Sequence, residues 1–120
     1  MLNNFLLVGL GGATGSVLRY AVGLWLGQRL FPAATLLVNI IGSCLIGMVL
    51  ALSLKNEQFA NNWKLFLATG ICGGFTTFSA FSIENMQLLQ QGKYWLCLLY
   101  IGASLIAGIA AAFVGYKLIN

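Results

Sequence analysis

Three stretches of this 120-residue chain, residues 33–54, 65–83 and 94–116, contain no charged side chain. Each is close to the roughly 20 residues a helix needs to cross the hydrocarbon core of a bilayer. A fourth stretch, residues 5–27, joins them if Arg19 is tolerated. In lipid only helices and closed barrels satisfy every backbone polar group, and runs this long and evenly apolar lack the polar face of a soluble bundle helix. The reading is therefore an all-α membrane protein: one integral membrane domain with four transmembrane helices at about residues 4–27, 33–54, 64–90 and 94–117. The connections are short, near residues 29–32, 55–62 and 90–93, and Pro32 suits the first turn of the second helix, where a missing N–H costs nothing. Trp25, Trp63, Tyr94, Trp95 and Tyr116 fall where the headgroup region is expected, as aromatic belts do. The first stretch has no basic leader and contains Arg19, so no cleavable signal peptide is expected.

Composition narrows the chemistry. Hydrophobic residues make up 60% of the chain and charged residues 7%, against about 25% charged in soluble domains. Six basic residues against two acidic ones give a net charge of +4, too scattered for a nucleic-acid footprint. Histidine is absent, which removes histidine-based catalysis, proton relay and metal binding. Without paired acids either, an intramembrane enzyme is not expected. Cys44, Cys72 and Cys97 are odd in number and each sits in an apolar run, so they read as packing residues, not as a disulfide framework.

Small residues recur four apart at Gly11/Gly15, Gly23/Gly27, Ser43/Gly47 and Gly70/Gly74, a spacing that lets helix backbones approach closely in lipid. Four short helices enclose little alone, so a partner subunit is expected. With four spans, one side carries Lys55, Lys64 and Lys117 and the other Arg29 and Lys93. Lys and Arg in short loops set orientation, and a bias of one leaves both insertions open, which admits an antiparallel homodimer.

Polar groups inside a span are costly and are functional candidates by default. Arg19 reads as a fixed charge in an anion vestibule, a tether to a partner, or a side chain snorkelling to the interface. Asn39, one turn after Thr35, is either a donor lining a pore or glue between helices. The third span contains Gly70, Gly73 and Gly74 followed by Phe75-Thr76-Thr77-Phe78-Ser79, poor helix sequence in mid-span. A break there is tolerated only where the freed backbone groups line a cavity or find partners; freed carbonyls suit a cation and a half-helix N-terminus suits an anion. Phe78 and Phe81 share one face, and their positive ring edges offer a small anion contact without the full countercharge that would hold it too tightly for conduction. Glu84 reads as a proton-coupling carboxylate or as a group at a pore mouth.

Taken together these residues resemble the Fluc (CrcB) family of fluoride channels. The matching strings are Gly11-Gly12-Ala13-Thr14-Gly15 with Arg19-Tyr20, Thr35-Leu36-Leu37-Val38-Asn39 with Gly42, and Gly70-Ile71-Cys72-Gly73-Gly74-Phe75-Thr76-Thr77-Phe78-Ser79-Ala80-Phe81. The resemblance covers essentially the whole chain and its third string is highly specific. It implies a fluoride-selective channel of the inner or plasma membrane: an antiparallel dual-topology homodimer with two pores and a structural Na+ at the centre of its interface. It further implies that Gly73 and Thr76 supply backbone carbonyls to sodium, and that Phe78, Phe81, Asn39 and Thr35 belong to the fluoride pore. Tyr100 and Ser104 fall at pore-lining positions of the fourth helix, and Arg19 matches the family's first-helix arginine. Ala80 departs from the family's usual Thr-Thr-Phe-Ser-Thr-Phe, so a polar track past the rings is left to Ser79, Ser82 or Glu84.

The competing expectation is a dual-topology proton-coupled exporter of cationic compounds, like the small multidrug transporters, with Glu84 as its coupling site. A Phe-lined break has no task in such a pump.

Overall fold

The computed structural model describes residues 1–27 and 32–120. Arg29, which enters the charge balance, and most of the connection at 29–32 lie outside the described residues. The described chain is helical: α1 (Leu2–Leu26), α2 (Ala33–Lys55), a short α3 (Glu57–Asn62), π1 (Leu65–Cys72), α4 (Gly73–Phe75), α5 (Phe78–Gln90) and α6 (Tyr94–Ile119). Four segments are long and apolar enough to cross a membrane: α1, α2, the composite third span Leu65–Gln90, and α6. Large apolar side chains such as Leu10, Val17, Ile106 and Phe113 face outward, as a lipid solvent permits.

Glycine places the helices. α1 runs against π1 and α4: a Cβ on Gly11 would lie 2.7 Å from the Phe66 carbonyl oxygen, and one on Gly15 would overlap the Ile71 carbonyl. α2 runs against α6 in the same way, Gly47 meeting the backbone at Ala112 and Gly115 the backbone at Cys44. Three of the four small-residue spacings therefore mark backbone-to-backbone seams. Gly23 and Gly27 meet nothing within 4 Å among the described residues. The 55–62 connection is not a plain loop but holds α3, capped by Asn56, whose side chain accepts the Phe59 N–H at 3.1 Å. Lys55 at the end of α2 donates to the Ile119 carbonyl at 2.5 Å and ties that end to the last turn of α6, where a cation also suits the helix dipole.

The third span is broken, though not at its glycines. Gly73 and Gly74 remain helical. The extended residues are Thr76 (φ −84°, ψ 157°) and Thr77 (φ −152°, ψ 124°). Both lie inside the run from Gly73 to Ser79 that the sequence marks as poor helix. The use of Gly74 is steric: a Cβ there would lie 2.9 Å from the Gly12 Cα of α1. Before the break the helix is wound wide, the Gly73 N–H reaching back five residues to the Ala68 carbonyl, a winding that recurs at functional sites.

Candidate functional site

A break of two extended residues frees backbone groups on both sides, and several of them have traceable partners. The Thr77 N–H, which in an unbroken helix would bond the Gly73 carbonyl, donates instead to Asn39 Oδ1 at 3.0 Å. Asn39 Nδ2 returns a bond to the Thr77 carbonyl at 3.3 Å. The Ala80 N–H, which would have bonded the Thr76 carbonyl, donates to Thr77 Oγ1 at 3.2 Å, so that Thr77 caps α5. The Gly74 carbonyl accepts Arg19 Nε at 3.4 Å. Thr76 folds its hydroxyl back onto the Cys72 carbonyl at 2.9 Å, and its methyl occupies the space a side chain at Gly42 would fill. The carbonyls of Gly73 and Thr76 have thus both lost their helical donors to other acceptors.

Phe78 and Phe81 follow on α5. Their ring centroids are 5.7 Å apart, and Phe81 continues onto Tyr100 of α6 at 5.0 Å. The three rings differ sharply in exposure: Phe78 is 77% exposed, Phe81 is half-buried and Tyr100 is fully buried. A cleft of about 360 Å³ between α2, the break and α6 is lined by Asn39, Gly73, Thr76, Phe78, Phe81 and Ser104 among others. Ser104 Oγ is buried and has no hydrogen-bond partner among the described residues, an arrangement that native proteins mostly avoid.

A second cavity, about 320 Å³, lies on the other side of the break between α1, α2 and α5. Arg19, Thr35, Glu84 and Ala80 line it, and Thr77 borders both cavities. Glu84 is held by two hydroxyls: Thr35 Oγ1 donates to Oε2 at 2.7 Å and Tyr100 Oη to Oε1 at 2.8 Å. Those bonds join α2, α5 and α6 through one carboxylate.

The fold gathers Asn39, Gly73, Thr76, Phe78, Phe81 and Ser104 at one cleft, and Arg19, Thr35 and Glu84 at the other cavity. Tyr100 is fully buried and lines neither, but its ring meets Phe81 of the first and its hydroxyl Glu84 of the second. Ser79 is exposed, its hydroxyl 3.1 Å from that of Thr77. Asn39 acts as glue, since its amide is engaged with the Thr77 backbone, and it also lines the cleft. Thr77, within the run expected to break the span, is the hinge between the half-helices; one residue escapes a reading of the sequence alone, Asn85, a buried amide inside the third span. A signal for Asn85 does exist, because an uncharged polar side chain in a span needs a partner.

Chemically, the cleft is lined by two phenyl rings and an amide, with the buried Ser104 hydroxyl in its wall, while the break beside it holds two carbonyls relieved of helical bonds. The model of the family described as CrcB-like protein, Camphor Resistance (CrcB), matches residues 6–116. The chain is 49% identical over 121 residues to a protein of Azobacteroides pseudotrichonymphae named fluoride-specific ion channel FluC, with 98% of this chain and 97% of the relative covered. It is 50% identical over 117 residues to the protein of that name from Thermus thermophilus, covering 95% and 91% of the two chains. The Agrobacterium fabrum protein of the same name is 48% identical over 119 residues, with 96% and 94% covered.

Proposed function

From the premise that this chain belongs to the CrcB-like family, a family of channels and not of enzymes, we propose that it is a fluoride-selective channel. It is a multi-pass protein of the cell membrane, and in this reading it releases fluoride passively to limit its toxicity. The observation that carries the proposal is the cleft lined by Phe78, Phe81, Asn39 and Ser104, the last with a buried hydroxyl that has no partner among the described residues.

The physics favours a small anion there. Stripping water from even a carboxylate-sized ion costs on the order of 20 kcal/mol in a medium of low dielectric constant, and the cost grows as the ion shrinks. A fluoride path has to replace water with several weak donors. The Ser104 hydroxyl and the edges of Phe78 and Phe81 are such donors. None carries a full charge, so an ion that enters can leave. Arg19, Thr35 and Glu84 line the second cavity, the proposed entry side, where Arg19 supplies attraction at a distance.

The finer reading is an antiparallel dual-topology homodimer with two pores. Phe78 is mostly exposed in the single chain, and the cleft opens to the side; a second copy in inverted orientation would close both. A sodium ion at the centre of that interface would be held by the Gly73 and Thr76 carbonyls of each copy. The residues fit such an ion, because the N–H groups of Thr77 and Ala80 that would occupy those carbonyls bond elsewhere. Bound there, sodium would supply fixed positive charge at the subunit interface.

No observation favours the cation exporter, whose coupling carboxylate would be Glu84. The test is anion efflux from liposomes holding the purified protein. Rapid fluoride release with chloride retained is expected; absence of fluoride flux, with proton-coupled uptake of an organic cation, would replace the channel by the pump.

A further inference from the structure

α5 carries both rings of the cleft, yet its main tertiary contact is with α6. That seam is largely apolar: Leu88, Cys97 and Tyr100 are buried in it, with Leu36, Phe81, Leu96 and Ile101 packed around them. An apolar seam between helices tolerates small rotations and slips, because its contacts are non-directional. Among the described residues, two pairs are joined by side-chain bonds across this one. The first is Tyr100 and Glu84. The second is Cys97 and Asn85: the thiol donates to Asn85 Oδ1 at 3.2 Å, with the Asn85 backbone carbonyl a longer alternative at 3.9 Å.

Asn85 is 8% exposed and Cys97 3%. The amide of Asn85 does not stop at the thiol: Nδ2 donates to the Phe81 carbonyl at 2.9 Å. A continuous chain therefore runs from the α6 thiol through the Asn85 amide to the backbone of Phe81. Leucine would fill the position without the cost of desolvating an amide, which is about 1–3 kcal/mol when such a group is left unpaired. What the amide adds is direction. It fixes the rotation of α5 against α6 at the turn that aims the Phe81 ring.

We propose that Asn85 and Cys97 are positioning residues that hold the Phe81 ring at the angle anion passage requires. The inference rests on the channel reading for its functional consequence, but not for the ring geometry itself.

The test reads ring order and flux separately. 4-Fluorophenylalanine is placed at position 81 alone and its fluorine resonance is recorded in the parent and in Asn85→Leu, Cys97→Ala, Cys97→Ser and the double variant Asn85→Leu/Cys97→Ala. Fluoride efflux is measured on the same variants without the label. The parent and Cys97→Ser, which keeps a donor, should give one narrow line and similar flux. Asn85→Leu and Cys97→Ala should broaden or split the line and slow efflux about tenfold, equivalent to 1.36 kcal/mol on the barrier. The double variant should be no slower than the slower single one, because both act through one chain of bonds. A narrow parent-like line in Asn85→Leu or in Cys97→Ala, or effects that simply add, overturns the proposal. If the parent itself passes no fluoride, the channel reading fails and the line shapes alone decide whether the two residues hold the ring.

Discussion

The side-chain amide of Asn39 takes the place of a missing helical turn at Thr77, accepting its N–H at 3.0 Å and donating to its carbonyl at 3.3 Å. One side chain of α2 thereby satisfies both backbone groups of the residue at which the third span breaks. The bond pair also ties α2 to the hinge beside the cleft. It explains how an extended segment persists at a depth where no water is on hand to satisfy it.

Asn39→Leu should therefore harm stability and conduction together. Leaving the Thr77 N–H and carbonyl unpaired should cost about 2 kcal/mol, read as a lowered melting temperature in detergent, and efflux should vanish. Asn39→Asp separates the effects. Its carboxylate still accepts the Thr77 N–H, so the melting temperature should fall less, while the added negative charge at the cleft should stop fluoride. A stable, fully conducting Asn39→Leu channel would remove the clasp from the mechanism.

The rings make a sharper contrast. Phe78 is 77% exposed and, among the described residues, pairs only with Phe81, whereas Phe81 also lies tilted against Tyr100 at 5.0 Å. Phe78→Ile and Phe81→Ile should both abolish fluoride flux and leave the oligomer intact. Phe81→Ile, which loses two ring neighbours, should lower the melting temperature more than Phe78→Ile, which loses one, each lost aromatic pair being worth about 1 kcal/mol. Normal efflux in both variants would take the rings out of the path.

Sodium should reveal itself as a linkage effect. If the Gly73 and Thr76 carbonyls hold the ion, its binding to the folded dimer alone stabilises by RT ln(1 + [Na+]/Kd), about 2.7 kcal/mol at a hundredfold excess over Kd. The dimer's melting temperature should then rise with sodium and fail to rise with N-methylglucamine at equal ionic strength. Equal responses to the two cations would leave those carbonyls without their ion.

The four spans are legible in the sequence because lipid imposes length and polarity on each of them. The seams at Gly11, Gly15 and Gly47 are legible because small residues four apart have few other uses in a membrane. The break is legible as the run from Gly73 to Ser79, but which residues within it extend is not. Gly73 and Gly74 stay helical, Gly74 against α1, and the chain extends at Thr76 and Thr77, where Asn39 and Thr77 Oγ1 offer partners. That outcome depends on residues 38 positions apart in sequence, which no local pattern encodes. The linkage of Thr35, Glu84 and Tyr100 is hidden for the same reason: each is polar within a span, but only the packing of three helices makes the carboxylate their common acceptor.

Dual insertion can be tested on whole cells. Tags at the C-terminus should be modified from both faces of the membrane by an impermeant reagent, in similar proportion. Adding two lysines after Lys55 should bias the chain to one orientation and lower flux, which a second variant biased the opposite way should restore on co-expression. One-sided labelling of the unaltered chain would reject the antiparallel dimer.

Ala80 offers a gain-of-function test. It lines the cavity shared by Arg19, Thr35 and Glu84, and its N–H is already bonded to Thr77 Oγ1, so a longer side chain disturbs no backbone bond. Ala80→Thr would place a hydroxyl between the hinge and the Glu84 carboxylate, in a space of about 320 Å³ that has room for it. If the polar track past the rings is what Ala80 interrupts, the variant should conduct fluoride several-fold faster, the scale set by one hydrogen bond of about 1 kcal/mol. The melting temperature should stay within a few degrees, because β-branched threonine near a helix N-terminus costs little beside alanine. Flux unchanged or reduced in a well-folded Ala80→Thr protein would show that fluoride does not pass position 80.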